Sequence, residues 1–359
     1  MIKKLIQFLI HLIFVLFILA LVIGVPAAWM IRRSYSSPEV HYFYTKLERD
    51  AEEPEGPGSE ETRSEGPDET GSEEPGPDET GSDETGSEEP GPEETEAEEP
   101  GSLRFVVLSD LYGYVFDGGN GIIADLVSNT FPDAILIDGN LIDGNTDEIT
   151  QTTDLIKRLS QIAPVYYSYG EQEQNYVKRH SEGDDADRAN DPLRAQLKKA
   201  GAIVLNEEYK DAQLYGISVR IGGMSGKAYE LTNLNGEVKR KSAKTWNLLN
   251  RFHNTDRLKI MLSNRTDNFL YSDACETWKI DLIVSGNGLG GLVVLPYYGG
   301  VFGGSQGYFP EYVHGLYEKG SSKLLITSGL SAPRGVIPRF NNPPEIAVID
   351  IDGLIRAAK

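Results

Sequence analysis

Five short polar segments, each following an apolar run, hold most of the side chains in this sequence that could do chemistry together. They read Ser109-Asp110-Leu111-Tyr112-Gly113, Gly139-Asn140-Leu141-Ile142-Asp143, Gly170-Glu171-Gln172-Glu173, Ser263-Asn264-Arg265-Thr266-Asp267 and Gly286-Asn287-Gly288-Leu289-Gly290-Gly291. None of the five contains a histidine or a cysteine. The chain has five histidines (His11, His41, His180, His253 and His314) and a single cysteine, Cys275. One cysteine excludes an intrachain disulfide and a zinc site built on several thiolates. Cys275 has no histidine or basic neighbour in sequence to lower its pKa, so it reads as a buried structural thiol. His180 follows a Lys-Arg pair in a polar loop, His253 ends a predicted helix, and His314 precedes Gly315-Leu316-Tyr317. Each reads as a surface or packing residue rather than a ligand. The run Gly299-Gly300 to Gly303-Gly304 lacks the Lys-Ser/Thr of a P-loop and reads as a mobile loop rather than a phosphate cradle.

The elements that must position these segments are legible as apolar runs. Phe105–Leu108, Ala134–Ile137, Val165–Tyr167 and Ile203–Leu205 read as buried strands, followed later by Lys259–Leu262, Leu282–Val284, Leu324–Ile326 and Ile346–Ile349. Asn120–Ser128, Glu148–Gln161 and Pro192–Ala200 have helical spacing. Strands alternating with helices, then strand-rich sequence, predict an α/β domain with mostly buried sheets. Its active groups then belong in the loops beyond the strands' carboxyl ends.

That domain spans 102–359. Ahead of it, Leu5 to Ile31 is almost uninterrupted apolar sequence between Lys3-Lys4 and Arg32-Arg33. As a helix it would reach roughly 40 Å, more than the ~30 Å of a bilayer's hydrocarbon core. Residues 1–33 therefore read as an uncleaved single-pass membrane anchor, longer than the apolar region of a signal peptide; cleavage near Val25-Pro26-Ala27 is the alternative. Basic pairs flank both ends, so the charge pattern alone does not orient the helix. Short N-terminal anchors usually keep such an end inside, which places the folded domain outside the cytoplasm, at the cell membrane. Residues 34–49 form a juxtamembrane segment.

Residues 50–101 are low in complexity: Glu65-Gly66-Pro67-Asp68-Glu69-Thr70-Gly71-Ser72 nearly recurs at 75–82. Between Asp50 and Pro100 lie 22 of the 55 acidic residues and one of the 34 basic ones, Arg63. This segment carries the whole formal charge of −21 and the remainder is neutral. It buries no apolar area and repels itself, so it is expected to be a disordered, solvated spacer, with a weak cation sponge as the alternative. The absence of a basic face argues against a nucleic-acid partner. The expected partner is the membrane, through the N-terminal helix; a protein or phosphate-containing ligand is not named by the sequence.

In order, spacing and flanks, the five segments resemble the calcineurin-like metallophosphoesterases, especially their bacterial membrane-anchored branch. That family carries the motifs D-x-H, G-D-x-x-D, G-N-H-E, a lone His after a strand, and G-H-x-H-G-G. The resemblance covers essentially all of 102–359, including Gly315-Leu316-Tyr317, Ser328-Gly329-Leu330, Pro338-Arg339-Phe340 and Pro343-Pro344-Glu345-Ile346. It implies a sandwich of two mixed β-sheets flanked by helices. It also implies two divalent transition-metal ions held by seven side chains, with a further His assisting the leaving group. At the matching positions only Asp110 is as the family has it. The first-motif His is Tyr112, the bridging Asp is Asn140, the metal-binding Asn is Glu171 and the assisting His is Gln172, while Asn264, Asn287 and Leu289 stand where three more His would be.

Those replacements remove the imidazoles that favour a transition metal. Asn140 offers a neutral group where a carboxylate would bridge two cations, and Leu289 coordinates nothing. Without the ions there is no metal-bound hydroxide at neutral pH, and Gln172 delivers no proton as His⁺ does. The expectation is a pseudoenzyme that needs no cofactor and serves as a binding or scaffold module at the cell envelope. One alternative is a phosphoesterase with atypical ligands, drawing on the spare carboxylates Asp138, Asp143 and Glu173. Another is a single Ca or Mg ion in an all-oxygen site made by Asp110, Asn140, Glu171, Asn264 and Asn287, with a structural or regulatory role.

Overall fold

The computed structural model describes residues 2–47, 101–181, 191–224, 243–270, 273–302, 307–333 and 338–356. The acidic spacer expected at 50–101 lies outside the described residues as far as Pro100, as does the Gly303-Gly304 end of the glycine-rich run.

The chain starts with a helix, Ile2–Leu19, that passes through a π-helical segment, Ala20–Gly24, into Val25–Arg33. Pro26 accounts for the wider turn: it has no N–H to donate and its ring crowds the carbonyl one turn back, so the ladder opens just before it. His11–Arg33 is long and apolar enough to cross a membrane, with a mean hydropathy of 2.7. Phe14, Phe17 and Val22 face away from the protein.

Fourteen strands follow among the described residues. They are β1 (Glu39–Lys46), β2 (Gly101–Leu108), β3 (Ala134–Asp138), β4 (Val165–Ser168), β5 (Ala202–Val204), β6 (Glu208–Leu214) and β7 (Ile217–Met224). The second half adds β8 (Leu258–Ser263), β9 (Leu282–Ser285), the short pair β10 (Val294–Leu295) and β11 (Gly299–Gly300), then β12 (Gly315–Lys319), β13 (Ser322–Ile326) and β14 (Glu345–Leu354). One six-stranded sheet runs β1-β14-β2-β3-β4-β5 and the other β12-β13-β9-β8-β7-β6. Both are mixed: β14 is antiparallel to β2 and β12 to β13, whereas β2-β3-β4-β5 and β7-β8-β9-β13 run parallel. The α/β sandwich of two mixed sheets expected from the sequence is what these residues form.

The period of two along each strand builds the layers. On β2, Phe105 and Val107 point between the sheets, where they meet Ile260, Leu262 and Val284. Val106 and Leu108 point outward, under the helices Gly121–Ser128, Thr150–Leu159 and Pro192–Lys199. On the far side, Met261, Ile283 and Leu324 pack under helix Ala243–Phe252 and against Trp278. Each large apolar side chain so buried contributes roughly 1.5–3 kcal/mol.

The segment that follows the N-terminal helix is not a plain connection. It forms β1, which pairs in parallel with β14 over eight residues, Glu39 opposite Glu345 through Lys46 opposite Asp352. The helix end is tied down as well. Asn341 donates its N–H to the Met30 carbonyl (3.3 Å), and Asn342 donates its N–H to Ser34 Oγ (3.0 Å).

Candidate functional site

The parallel strands β2, β3, β4, β8 and β9 all end on one side of the sandwich, and the five polar segments leave from those ends. Two glycines permit the close approach. A Cβ on Gly170 would collide with Asn140 Oδ1, and one on Gly286 with Ser109 Oγ and the Asp110 carboxylate. The loops turn sharply: Asp110, Tyr112, Asn140, Asn287 and Leu289 all have left-handed backbone, with φ of 59°, 50°, 54°, 57° and 51°. Asp and Asn tolerate that region, whereas Tyr112 and Leu289 are held there at a cost of order 1–3 kcal/mol each.

At the centre lies the Asn140 carboxamide. Its Nδ2 donates to Asp110 Oδ1 (2.9 Å) and Asn264 Oδ1 (3.1 Å), with the Tyr112 hydroxyl at 3.3 Å. Its Oδ1 accepts the Gln172 backbone N–H (3.1 Å). Because a backbone N–H is only a donor, that bond fixes which end of the amide faces Asp110. Asp110 is also held by Ser109 Oγ (2.8 Å) and the Asn287 N–H (2.7 Å), both on Oδ2. Asn264 donates its Nδ2 to the Asp138 carbonyl (2.6 Å). Asp110, Asn140 and Asn264 are essentially fully buried. Burial raises the Asp110 pKa and outweighs the hydrogen bonds from Asn140, Asn287, Ser109 and Tyr112, which pull the other way.

Of the sequence-derived positions, Asp110, Tyr112, Asn140, Asn264 and Asn287 are thus joined directly. Gln172 reaches the group through its backbone, while its Oε1 accepts the Gly144 N–H (3.0 Å). Glu171 heads helix Glu171–His180 with an exposed side chain. Leu289 is buried, and its carbonyl accepts Asn342 Nδ2 (2.6 Å).

The three spare carboxylates have separate fates. Glu173 is fully buried and accepts four hydrogen bonds: from the N–H groups of Asn140 (2.7 Å), Leu141 (2.9 Å) and Gly170 (2.9 Å), and from the Tyr167 hydroxyl (2.7 Å). It caps its own helix and fastens the β3 loop to the β4 loop. Asp143 accepts the Asn145 N–H two residues on (3.0 Å). Asp138 Oδ2 accepts the Gly286 N–H (2.7 Å), and its Oδ1 is buried without a hydrogen-bond partner. Burial, with Asp110 and Glu173 close by, pushes the Asp138 pKa well up, which favours the neutral acid.

Cys275 is fully buried and burial lifts its thiol to about 11, in line with an inert structural residue. His180 stacks on Tyr176 with centroids 4.0 Å apart, and His253 lies at the end of helix Ala243–Phe252, its Nδ1 3.2 Å from the Leu249 carbonyl. His314 does more than pack. It shares the buried carboxylate of Glu345 with His41: His314 Nε2 lies 2.7 Å and His41 Nδ1 3.1 Å from Glu345 Oε1. These three groups could hold a metal ion. Sequence reasoning missed them because 304 residues separate His41 from Glu345, and only the β1–β14 pairing joins them. Beside them Arg339, also fully buried, spends its donors on the carbonyls of Ser328, Ser331, Asn342 and Pro343 and on Asn342 Oδ1. Burial lowers its pKa to about 10, against the attraction of Asp110 and Glu345.

No family model matches the chain, and no curated protein sequence matches it significantly. Solved structures that are similar to it include calcineurin-like phosphoesterases. The calcineurin-like phosphoesterase YfkN from Bacillus subtilis is 13% identical, with 72% of this chain and 89% of that one covered, at a TM-score of 0.40. A phosphopantetheinyl hydrolase from Mycobacterium tuberculosis is 10% identical over 64% of this chain and 90% of that one, at 0.38. GAP50, described as the anchor in the inner membrane complex of Plasmodium, is 12% identical over 69% and 81%, also at 0.38.

Proposed function

We propose that this chain is a membrane-anchored metallophosphoesterase-like protein that works without a dinuclear metal site, as a binding or scaffold module at the cell envelope. The observation that carries the reading is the orientation of Asn140. A bridging ligand must present lone pairs to two cations, yet this side chain presents N–H to Asp110 and Asn264 and spends its oxygen on the Gln172 N–H. An amide donor holds together the groups that two ions would otherwise hold. The rest of the donor set points the same way: Leu289 is apolar, Glu171 faces solvent, and Glu173 is fully engaged by backbone N–H groups and Tyr167. The residues present do not fit a pair of transition-metal ions.

A second reading is a single calcium or magnesium ion at Asp110, Asn140, Glu171, Asn264 and Asn287; the observation that favours it is Asp138 Oδ1, buried near Asp110 without a hydrogen-bond partner. A protonated Asp138 accounts for the same atom without an ion.

In this reading the anchor is His11–Arg33, and the folded domain lies outside the cytoplasm, as is usual for short N-terminal anchors. Protease added outside the sealed cytoplasmic membrane of spheroplasts tests that orientation: cleavage of the domain is expected, and protection until the membrane is permeabilised would reverse it. For the chemistry, the full chain in detergent is assayed on a chromogenic phosphodiester with added zinc, manganese or iron. No turnover above buffer is expected. Turnover that chelator abolishes, and that is lost in Asp110→Ala, would overturn the reading.

A further inference from the structure

We propose that His41, His314 and Glu345 form a binding site for one zinc ion, separate from the Asp110–Asn140 network, that clasps the membrane-proximal strand β1 to the folded domain.

The three donors come from distant parts of the chain. His41 is the third residue of β1, Glu345 opens β14, and His314 immediately precedes β12. Their ligand atoms all lie within 4.8 Å of one another. Two imidazole nitrogens and one carboxylate oxygen form a set that zinc commonly takes when a fourth position stays open. Nitrogen donors favour zinc over calcium or magnesium, which prefer oxygen.

Both ring nitrogens point at one oxygen, Glu345 Oε1. A tetrahedral zinc ion with bonds of about 2.0–2.2 Å separates its ligand atoms by roughly 3.3 Å. The observed 3.1 Å and 2.7 Å would open by about 0.2 Å and about 0.6 Å to reach that separation. Both rings have room to do so, each being 37% exposed.

The carboxylate has the outer hydrogen bonds that orient a metal ligand. The other carboxylate oxygen of Glu345 accepts from the Ser328 N–H (2.6 Å), Ser328 Oγ (2.9 Å) and Thr327 Oγ1 (2.9 Å), which locks the carboxylate with Oε1 toward the histidines. Burial would raise the Glu345 pKa, but the hydrogen bonds from His314, His41 and Ser328 hold it well below the usual range. The second nitrogen of His41 lies 3.6 Å from Glu39 Oε2, and Arg33 in turn holds Glu39. An open position is also present. The histidines border a cavity of about 310 Å³ whose wall includes Gly290, Val294, Gly300 and Pro343, large enough for a water or small anion on the ion.

Position gives the site its consequence. His41 lies eight residues beyond Arg33, the last residue of the candidate membrane span. An ion shared by His41, His314 and Glu345 fixes β1, and with it the exit of the membrane helix, to β14 and the loop before β12.

Zinc chloride is titrated calorimetrically into the full chain in detergent at neutral pH, with thermal unfolding followed in parallel. One ion per chain is expected, with a zinc-dependent rise in Tm. His41→Ala and His314→Ala should each lose at least about 100-fold in affinity and the Tm response. Asp110→Asn should keep both. If His41→Ala does not fold, His314→Gln, on the exposed side of the cluster, carries the test. Absence of zinc binding by the wild type overturns the proposal, as does binding that survives the histidine substitutions. Zinc lost in Asp110→Asn but kept without the histidines would place the ion in the loop network, and would count against the proposed function as well.

Discussion

Asn140 donates its side-chain N–H to Asp110 Oδ1 across 2.9 Å, in a region where both residues are almost completely buried. The bond offsets part of the burial that raises the Asp110 pKa. Replacing that donor with an acceptor tests it. Asn140→Asp sets a second carboxyl against Asp110 and removes the donor to Asn264, at an expected cost of about 3–5 kcal/mol at neutral pH. Burial and the like charge would raise the new group's folded pKa above its unfolded value. The penalty is therefore present at high pH and fades as pH falls through the folded value. Urea unfolding at neutral and mildly acid pH measures both parts. A variant as stable as wild type at neutral pH would refute the network.

Much of this arrangement was legible in the residues. Phe105–Leu108, Ala134–Ile137 and Leu282–Val284 are strands buried on both faces, so their apolar runs had no competing reading. The polar segments after them were legible as a set, because parallel strands bring their carboxyl ends together. β1 was not. Its Tyr42 and Tyr44 are exposed and it has a neighbour on one side only, so it carries no continuous apolar run. The partnership of His41 and His314 with Glu345 was hidden for the same reason. Nor did residue types reveal that Glu173 is a structural anchor, since its four donors are mostly backbone N–H groups.

The pairing of β1 sets a requirement on any soluble fragment. Removing residues 1–33 leaves the first sheet complete, whereas removing 1–47 uncovers the whole edge of β14, with Ile346 to Ile351 behind it. An unpaired edge of that length promotes association between copies. Size-exclusion chromatography of the two truncations is expected to give a well-behaved species for the first and aggregate for the second. Equal behaviour would mean that β1 adds little to the sheet.

Cys275 provides a probe of opening around Trp278. The thiol is buried among Phe269, Ala274 and Trp278, and burial lifts its pKa to about 11. At mildly alkaline pH almost none of it is thiolate, and reagent has no path to it. Labelling by an aromatic disulfide is expected to be slow in the folded chain and fast in denaturant. Rapid labelling under native conditions would show that this face opens locally at a small free-energy cost.

Arg220 on β7 and Asp211 on β6 form a cross-strand ion pair in the second sheet, and Arg220 also reaches the neighbouring helix. Arg220 donates Nε to Asp211 Oδ1 (2.6 Å), lies 4.4 Å from the Tyr209 ring centroid, and reaches the carbonyls of Arg251 (3.0 Å) and Phe252 (3.2 Å) at the end of helix Ala243–Phe252. The Arg220 hydrogen bond is the main cause that lowers the Asp211 pKa, opposed by a smaller effect of burial. A carboxyl depressed in the folded state stabilises fully above its unfolded value of about 3.9, and that contribution is lost as pH falls through the folded value. Asp211 is 37% exposed, so solvent screening limits the effect to about 0.5–1 kcal/mol. Asp211→Asn should therefore cost that amount at neutral pH and nothing in strong acid. Arg220→Met should cost more at every pH, about 2–3 kcal/mol, because it also strips the helix-end carbonyls of their donor. Chemical denaturation of both variants across pH separates the two, and a pH-independent loss in Asp211→Asn would mean that packing, not charge, holds the pair.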